Sequence, residues 1–392
     1  MHIRLVLLKL LILTFINSFY GQFSFDTIFN SHPLLKQISL NAQKYHLQII
    51  YTQINYENNA KSLTTYSFNV SPQNYFYCAS LVKLPVSILA LQKLNEINVD
   101  GNSIFFSDSS LACHKKIRSD TSSENNYPSI NHYIKKMFLV SDNYAYSAVY
   151  DFLGVDYMHQ SFAKWGFKDI RIINRYSGTC FGVNNFITNP VSFYDEKLHL
   201  IYKQNEQRAT LEYKHPLTKV FVGKSYKNVK RKINIEPKNF TNMNYVTLND
   251  CHAILQELIY NQKNSFNISK QQRDFLILYL GMLPRQSKYP KYNYKTYHDS
   301  FKKYLFYGNN VRTIKDSNLV ITNIVGQSYG FLSDCAHFYD KKNKVEFLLS
   351  AAIYTNECNI ISKGKYEFAT IGFPSLAELG KQFYNYELKR KQ

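Results

Sequence analysis

The stretch Phe76-Tyr77-Cys78-Ala79-Ser80-Leu81-Val82-Lys83-Leu84-Pro85-Val86-Ser87-Ile88-Leu89-Ala90-Leu91 decides how the chain is read. Its aromatic opening reads as a strand ending at Ala79. Leu84, Ile88 and Leu91 then recur on one helical face, and the pattern runs on to about Asn95. Ser80 is thereby placed at a strand-to-helix junction, with Lys83 one turn later on the same face. A serine alcohol is a poor nucleophile at neutral pH until a neighbouring base takes its proton, and a desolvated lysine can be that base. Pro85 falls in the first turn, where a proline is tolerated.

The Ser-x-x-Lys spacing alone decides little, because it recurs at Ser161/Lys164, Ser300/Lys303 and Ser362/Lys365. A solvated helix face accounts for most such pairs in a chain rich in both residues. Ser80 differs in its setting: a β-rich lead-in, an immediate apolar helix and a first-turn proline.

The 392 residues are 45% hydrophobic, enough for a substantial core in one large or two smaller domains. A formal charge of +19 invites an anionic partner. The basic residues are scattered among Asn, Tyr and Ile without any recognisable nucleic-acid module, so compositional bias is the preferred explanation and no nucleic-acid partner is expected. Residues 1–21 read as a secretory leader, with Arg4 before an apolar run interrupted by Lys9, and Ser18 or Gly21 as small residues for cleavage. That run is shorter than the roughly 20 residues a spanning helix needs, and no cysteine follows it to carry a lipid. The expectation is an exported, periplasmic or secreted protein with no stable membrane span once the leader is removed. Cysteines at 78, 113, 180, 251, 335 and 358 form no Cys-x-x-Cys or Cys/His pair of metal spacing, so no metal is expected. Their pairing is not readable from spacing.

Further along, the pattern predicts a helix within 23–44 and a strand pair over 46–56 and 64–70, followed by the Ser80 helix. Residues 96–130, rich in Asn, Ser and Asp, read as loop, and a helix follows over about 130–140. At its end stands Ser141-Asp142-Asn143, which occurs once in the chain and precedes a helical run over 144–153 closed by Gly154. A tripeptide of this kind is often only an N-cap. About 60 residues after a Ser-x-x-Lys, it reads as the second of the three motifs shared by serine β-lactamases and penicillin-binding proteins.

On these residues the chain resembles the class A β-lactamase-like serine hydrolases. The likeness runs through Phe152-Leu153-Gly154, Trp165-Gly166 and Thr188-Asn189-Pro190-Val191. It resumes at Asn323-Ile324-Val325-Gly326-Gln327-Ser328-Tyr329-Gly330-Phe331-Leu332-Ser333-Asp334 and the strand-like run over 345–354. It covers roughly 30–195 and 270–385. Two departures stand out. With Gly326 at the third-motif glycine, Ile324 occupies the lysine position and Val325 the threonine or serine position. The segment 171–190 contains no glutamate at all, whereas the family's β-lactamases use one to activate the deacylating water.

The resemblance implies a mixed α/β (α+β) two-lobed fold: a central antiparallel sheet flanked by terminal helices, plus an all-helical lobe with Ser80 at the junction. It implies Ser80 as nucleophile, Lys83 as base and Ser141 as proton relay. Asn143, Gly326 and Gln327 would hold the substrate, with the Ser80 and Gln327 amides as oxyanion hole, worth on the order of 3 kcal/mol per donor. No cofactor is implied, and a monomer is expected. The substrate class would be a β-lactam or a cell-wall peptide. An esterase or peptidase for uncharged substrates, or a non-catalytic binder of cell-wall fragments, are the alternatives. Residues 197–270, rich in Lys and Asn, read as an insertion, mostly a solvated loop or hairpin, with Lys224, Lys227, Lys230, Arg231 and Lys232 as a basic cluster. Helical patterns follow over 250–262, 271–283 and 375–389.

Overall fold

The computed structural model describes residues 23–57 and 60–391, so the expected leader lies outside the described residues. Helices α1 (Phe25–Phe29) and α2 (Pro33–Leu40) lead into the hairpin β1 (Gln48–Glu57) and β2 (Ala60–Phe68). The helices α3 (Lys83–Glu96), α4 (Ile130–Val140), α5 (Asn143–Leu153), α6 (Val155–Lys164), α7 (Leu248–Tyr260) and α8 (Lys270–Gly281) follow. The chain then returns as β3 (Leu319–Ser328), β4 (Phe331–Asp340) and β5 (Val345–Tyr354), and ends in α9 (Phe373–Lys391).

The main sheet is five-stranded and antiparallel throughout, in the order β3-β4-β5-β1-β2. Alternation along its strands separates two cores. Ile50, Ile324, Leu348 and Ala352 face the helical lobe, while Ile49, Val325, Leu349 and Ile353 face Leu35, Ile38, Leu376, Leu379 and Phe383 of the terminal helices. Central β5 is covered on both sides and reads as an unbroken buried run.

Caps punctuate the helical lobe where the sequence supplies them. Ser129 Oγ accepts from His132 N at 3.2 Å to start α4, and Thr247 and Ser269 each close a reciprocal capping box on α7 and α8. Helix α3 is enclosed on all sides, with every residue from Lys83 to Leu94 buried. The apolar stripe expected from Leu84, Ile88 and Leu91 is one part of a helix that has no solvent face.

Two expectations need correction. Residues 75–78 form no strand. They run irregularly with all four side chains buried, and Ala79 takes a positive φ of 44°, which turns the chain into a 3-10 turn over Ala79–Val82 before α3 begins. Nor is 197–270 mostly a solvated loop or hairpin. Leu200–Gln204 pairs with Val191–Tyr194 in a small sheet, and α7 packs against β4, β5 and α3. Asn244 holds the 171–174 backbone by accepting from Ile173 N and Asn174 N, both at 2.8 Å. The short strands within 219–240 are anchored by buried Val220, Val222 and Phe240, and leave residues 229–233 exposed. Among the described residues no helix is long and apolar enough to cross a membrane.

Candidate active site

The 3-10 turn carries Ser80 to the head of α3, and Lys83 opens the helix beneath it. Lys83 Nζ lies 2.9 Å from Ser80 Oγ. It is also 2.6 Å from the Ser141 carbonyl, 2.9 Å from Ser141 Oγ and 2.7 Å from Asn143 Oδ1. Ser141 Oγ in turn donates to Ser80 Oγ at 2.8 Å. Helix capping explains how a tripeptide can supply two of these groups. Asp142 is the cap, accepting from Ala145 N at 2.8 Å, while Ser141, left-handed at φ 61°, ends α4. Ser141 and Asn143 are thereby left free to turn toward the lysine.

Lys83 is fully buried, and that burial pulls its ammonium down to about 7, against a small upward pull from Asp142. Once neutral, the amine has two N–H donors and one lone pair. The Ser141 carbonyl and Asn143 Oδ1 can only accept, so they take the two donors. The lone pair is left to the hydroxyls of Ser80 and Ser141. The contacts therefore favour a lysine that receives a proton from a serine.

Gly326 brings β3 against this turn. A Cβ there would meet the Cys78 carbonyl and Ser333 Oγ, each at 2.6 Å. Only a glycine lets the strand lie so close to the backbone two residues before Ser80, and Gln327 follows it at the exposed strand end. Gln327 Oε1 accepts from Tyr304 OH at 3.1 Å. Ile324 shares the face of Gly326 and is wholly buried, so the strand presents no cation to the site.

A buried lysine does lie beside the site, on a segment that sequence reasoning passed over. Lys302 is buried, and its Nζ lies 3.4 Å from the Met137 carbonyl, the same carbonyl that accepts from Ser141 N at 3.0 Å. Burial, with the nearby charges of Lys303 and Lys83, drives its ammonium well below the ordinary range, and Asp334 opposes this. A built network aims it there. Asn323 Nδ2 donates to the Lys302 carbonyl at 2.7 Å and to Asp334 at 2.8 Å, and Asp334 accepts from the Tyr304 and Leu305 amides at 3.0 and 2.9 Å. Lys303, the lysine of one accidental Ser-x-x-Lys, is fully occupied by Leu280 O, Ile321 O and Asn323 Oδ1. The available signal was a lysine pair set between Phe301 and Tyr304-Leu305-Phe306, an unusually apolar neighbourhood for two charges.

The rim is formed by 171–190. Buried Arg175 pairs with Asp151 of α5 and donates to the Ile187 carbonyl at 2.7 Å, and Asp151 also accepts from Asn189 N at 3.1 Å. A disulfide, Cys113–Cys180, ties the rim to the loop after Ile104–Ser107. Tyr176 reaches inward from the rim. Its OH donates to the Ala79 carbonyl at 2.7 Å, its ring stacks on Tyr146 at 4.7 Å, and Lys83 Nζ lies 5.9 Å from the ring centre. Burial holds the Tyr176 phenol well above its usual range, so it remains neutral.

The two-lobed architecture and the Ser-Lys-Ser-Asn cluster define a class of protein, and comparison gives its family. The model of the β-lactamase enzyme family matches residues 35–372. The chain belongs to the β-lactamase enzyme family. Its fold is similar to that of a β-lactamase from Sphaerobacter thermophilus, with TM-score 0.50 at 11% identity over 92% of this chain and 96% of that one. It is likewise similar to PBP-A, with TM-score 0.50 at 12% identity over 91% and 96%. No curated protein matches in sequence.

Proposed function

We propose that the protein is an exported serine hydrolase that forms an acyl-enzyme at Ser80 with β-lactams or related amides and releases it slowly. The observation that carries this reading is the hydroxyl pair held on one amine: Ser80 Oγ and Ser141 Oγ each lie 2.9 Å from Lys83 Nζ and 2.8 Å from each other. Neutral Lys83 takes the Ser80 proton as the oxygen attacks the carbonyl carbon. The proton passes through Ser141 to the leaving nitrogen as the C–N bond breaks. Asn143, exposed beside the site, has its amide N–H groups free for the substrate, since its oxygen is engaged by Lys83. The Ser80 and Gln327 amides would hold the oxyanion.

A substrate carboxylate beside Lys302 would favour its ammonium form, and Lys302 would so fill the role left vacant at Ile324. Placed behind Ser141, it would face the acidic end of the substrate. Deacylation lacks an evident base, because the rim offers neutral Tyr176 over Lys83 and 171–190 contains no glutamate. That favours a long-lived penicillin adduct over rapid turnover.

Intact-mass spectrometry with a fluorescent penicillin and, separately, a fluorophosphonate tests the reading in wild type and Ser80→Ala. The expected result is a persistent penicillin adduct that Ser80→Ala abolishes. Opened drug released within seconds would make the protein a β-lactamase, and labelling by fluorophosphonate alone would make it an esterase or peptidase. No adduct with either probe would overturn the catalytic reading in favour of a binding protein.

A further inference from the structure

Residues 213–249 carry eight Lys and Arg side chains and one acid, Glu236. Within them Ser225–Lys227 and Ile233–Asn234 form an antiparallel hairpin seated on Ile360–Ile361. The tip is closed by its own hydrogen bonds. Asn228 N donates to the Lys232 carbonyl and Arg231 N to the Asn228 carbonyl, both at 2.9 Å, and Asn228 Oδ1 accepts from Lys232 N at 3.0 Å. This is a shaped projection.

What stands on it is unusual for a surface facing water alone. Val229 is 100% exposed, Ile235 93% and Ile233 54%. Ile233 opens the second strand of the hairpin and Ile235 follows just past its end, while Val229 lies in the connecting turn. Lys230, Arg231 and Lys232 are exposed alongside them, and among the described residues none of the three is in an ion pair. Aliphatic side chains in the open are individually ordinary, but three on one small tip, flanked by three unpaired cations, form a two-part surface.

We propose that this hairpin tip docks on an anionic lipid bilayer. Val229, Ile233 and Ile235 enter the headgroup region, and Lys230, Arg231 and Lys232 hold acidic headgroups. A soluble polyanion would satisfy the cations and leave the aliphatic groups in water. The interface of a charged bilayer serves both halves at once. The hairpin also stands near the candidate site. Lys238, just beyond it, lies 5.0 Å from the Tyr226 ring and 5.8 Å from the ring of Tyr329, two residues past Gln327. Docking would bring the exposed Gln327 end of β3 toward the membrane side of the molecule.

Co-sedimentation of the purified exported protein with vesicles tests this, comparing phosphatidylglycerol/phosphatidylcholine mixtures with pure phosphatidylcholine. Binding is expected to the charged vesicles alone and to weaken with salt. Val229→Asp with Ile235→Asp should lower it at least about tenfold, and Lys230→Glu with Arg231→Glu and Lys232→Glu on the order of a hundredfold. Both variants should keep the wild-type unfolding transition, since every altered side chain is exposed. Absence of wild-type binding would overturn the proposal. So would equal binding to uncharged vesicles. Binding that charge reversal abolishes but the aliphatic change leaves intact would overturn the bilayer assignment and make the tip a polyanion site.

Discussion

Lys83 concentrates the chemistry in one side chain. If it acts as the base, acylation should rise with pH about a midpoint near 7, where the buried ammonium loses its proton, and should fall about tenfold per pH unit below it. Rates of penicillin adduct formation between pH 5 and 9 would measure this. Lys83→Arg keeps a cation but cannot be deprotonated, so acylation should drop by about a thousandfold. Lys302→Met should behave differently. A hydrogen bond to a charged group contributes about 1.5–3 kcal/mol. Acylation by a carboxylate-bearing penicillin should therefore slow roughly tenfold to a hundredfold, while a carboxylate-free ester is little affected. Ser80, Lys83, Ser141 and Asn143 were legible in the sequence because helix spacing and capping fix them locally. Lys302 was not, because it reaches the site through a tertiary network on Asn323 and Asp334 that no local spacing encodes.

At the scale of elements, the site depends on one close approach and one staple. Gly326→Ala would place a methyl 2.6 Å from the Cys78 carbonyl, a backbone atom that yields only if the nucleophile turn moves. A destabilisation of about 1–3 kcal/mol is expected. Acylation should fall by more than this accounts for, since Ser80 and Gln327 are displaced together. Denaturant melts beside adduct kinetics separate the two effects. The Cys113–Cys180 bridge spans 67 residues of sequence, and joint replacement by alanine should cost about 2–4 kcal/mol in chemical denaturation. Periodicity located helices α4, α5, α7, α8 and α9 to within a few residues. It misread 75–78 as a strand because buried aromatic residues with β propensity look alike whether they pair or merely pack. The bridge was unreadable because its partners meet only when the rim folds back on the helical lobe.

For the whole molecule, the two-lobed α/β architecture was what the family resemblance of the Ser80 and Ser141 motifs implied, and the sheet and helical lobe agree with it. Within 197–270 lysine and asparagine content suggested mostly solvated loop, while the periodicity over 250–262 located α7, whose buried face includes Leu248, Cys251, Ile254, Leu255 and Leu258. Composition reports what a surface is made of, and periodicity reports what a core needs. Where the two disagreed, periodicity was the better guide.

Helix α3 buries a second lysine. Lys93 Nζ donates to the Phe152 and Leu153 carbonyls at 2.6 and 3.1 Å, and burial brings it, like Lys83, from 10.5 down to about 7. Between those two values the unfolded chain binds protons at these lysines that the folded chain does not, so their contribution to folding stability climbs as pH rises from 7 toward 10.5 and is flat below 7. The fall of the +19 net charge over the same interval acts in the same direction. Unfolding free energies from urea melts should therefore rise between pH 7 and 9, by about 1 kcal/mol per pH unit for each lysine, and Lys93→Met should flatten that rise. The helix that holds the chemistry would then be most firmly folded in mild alkali, where its amine is free to accept a proton.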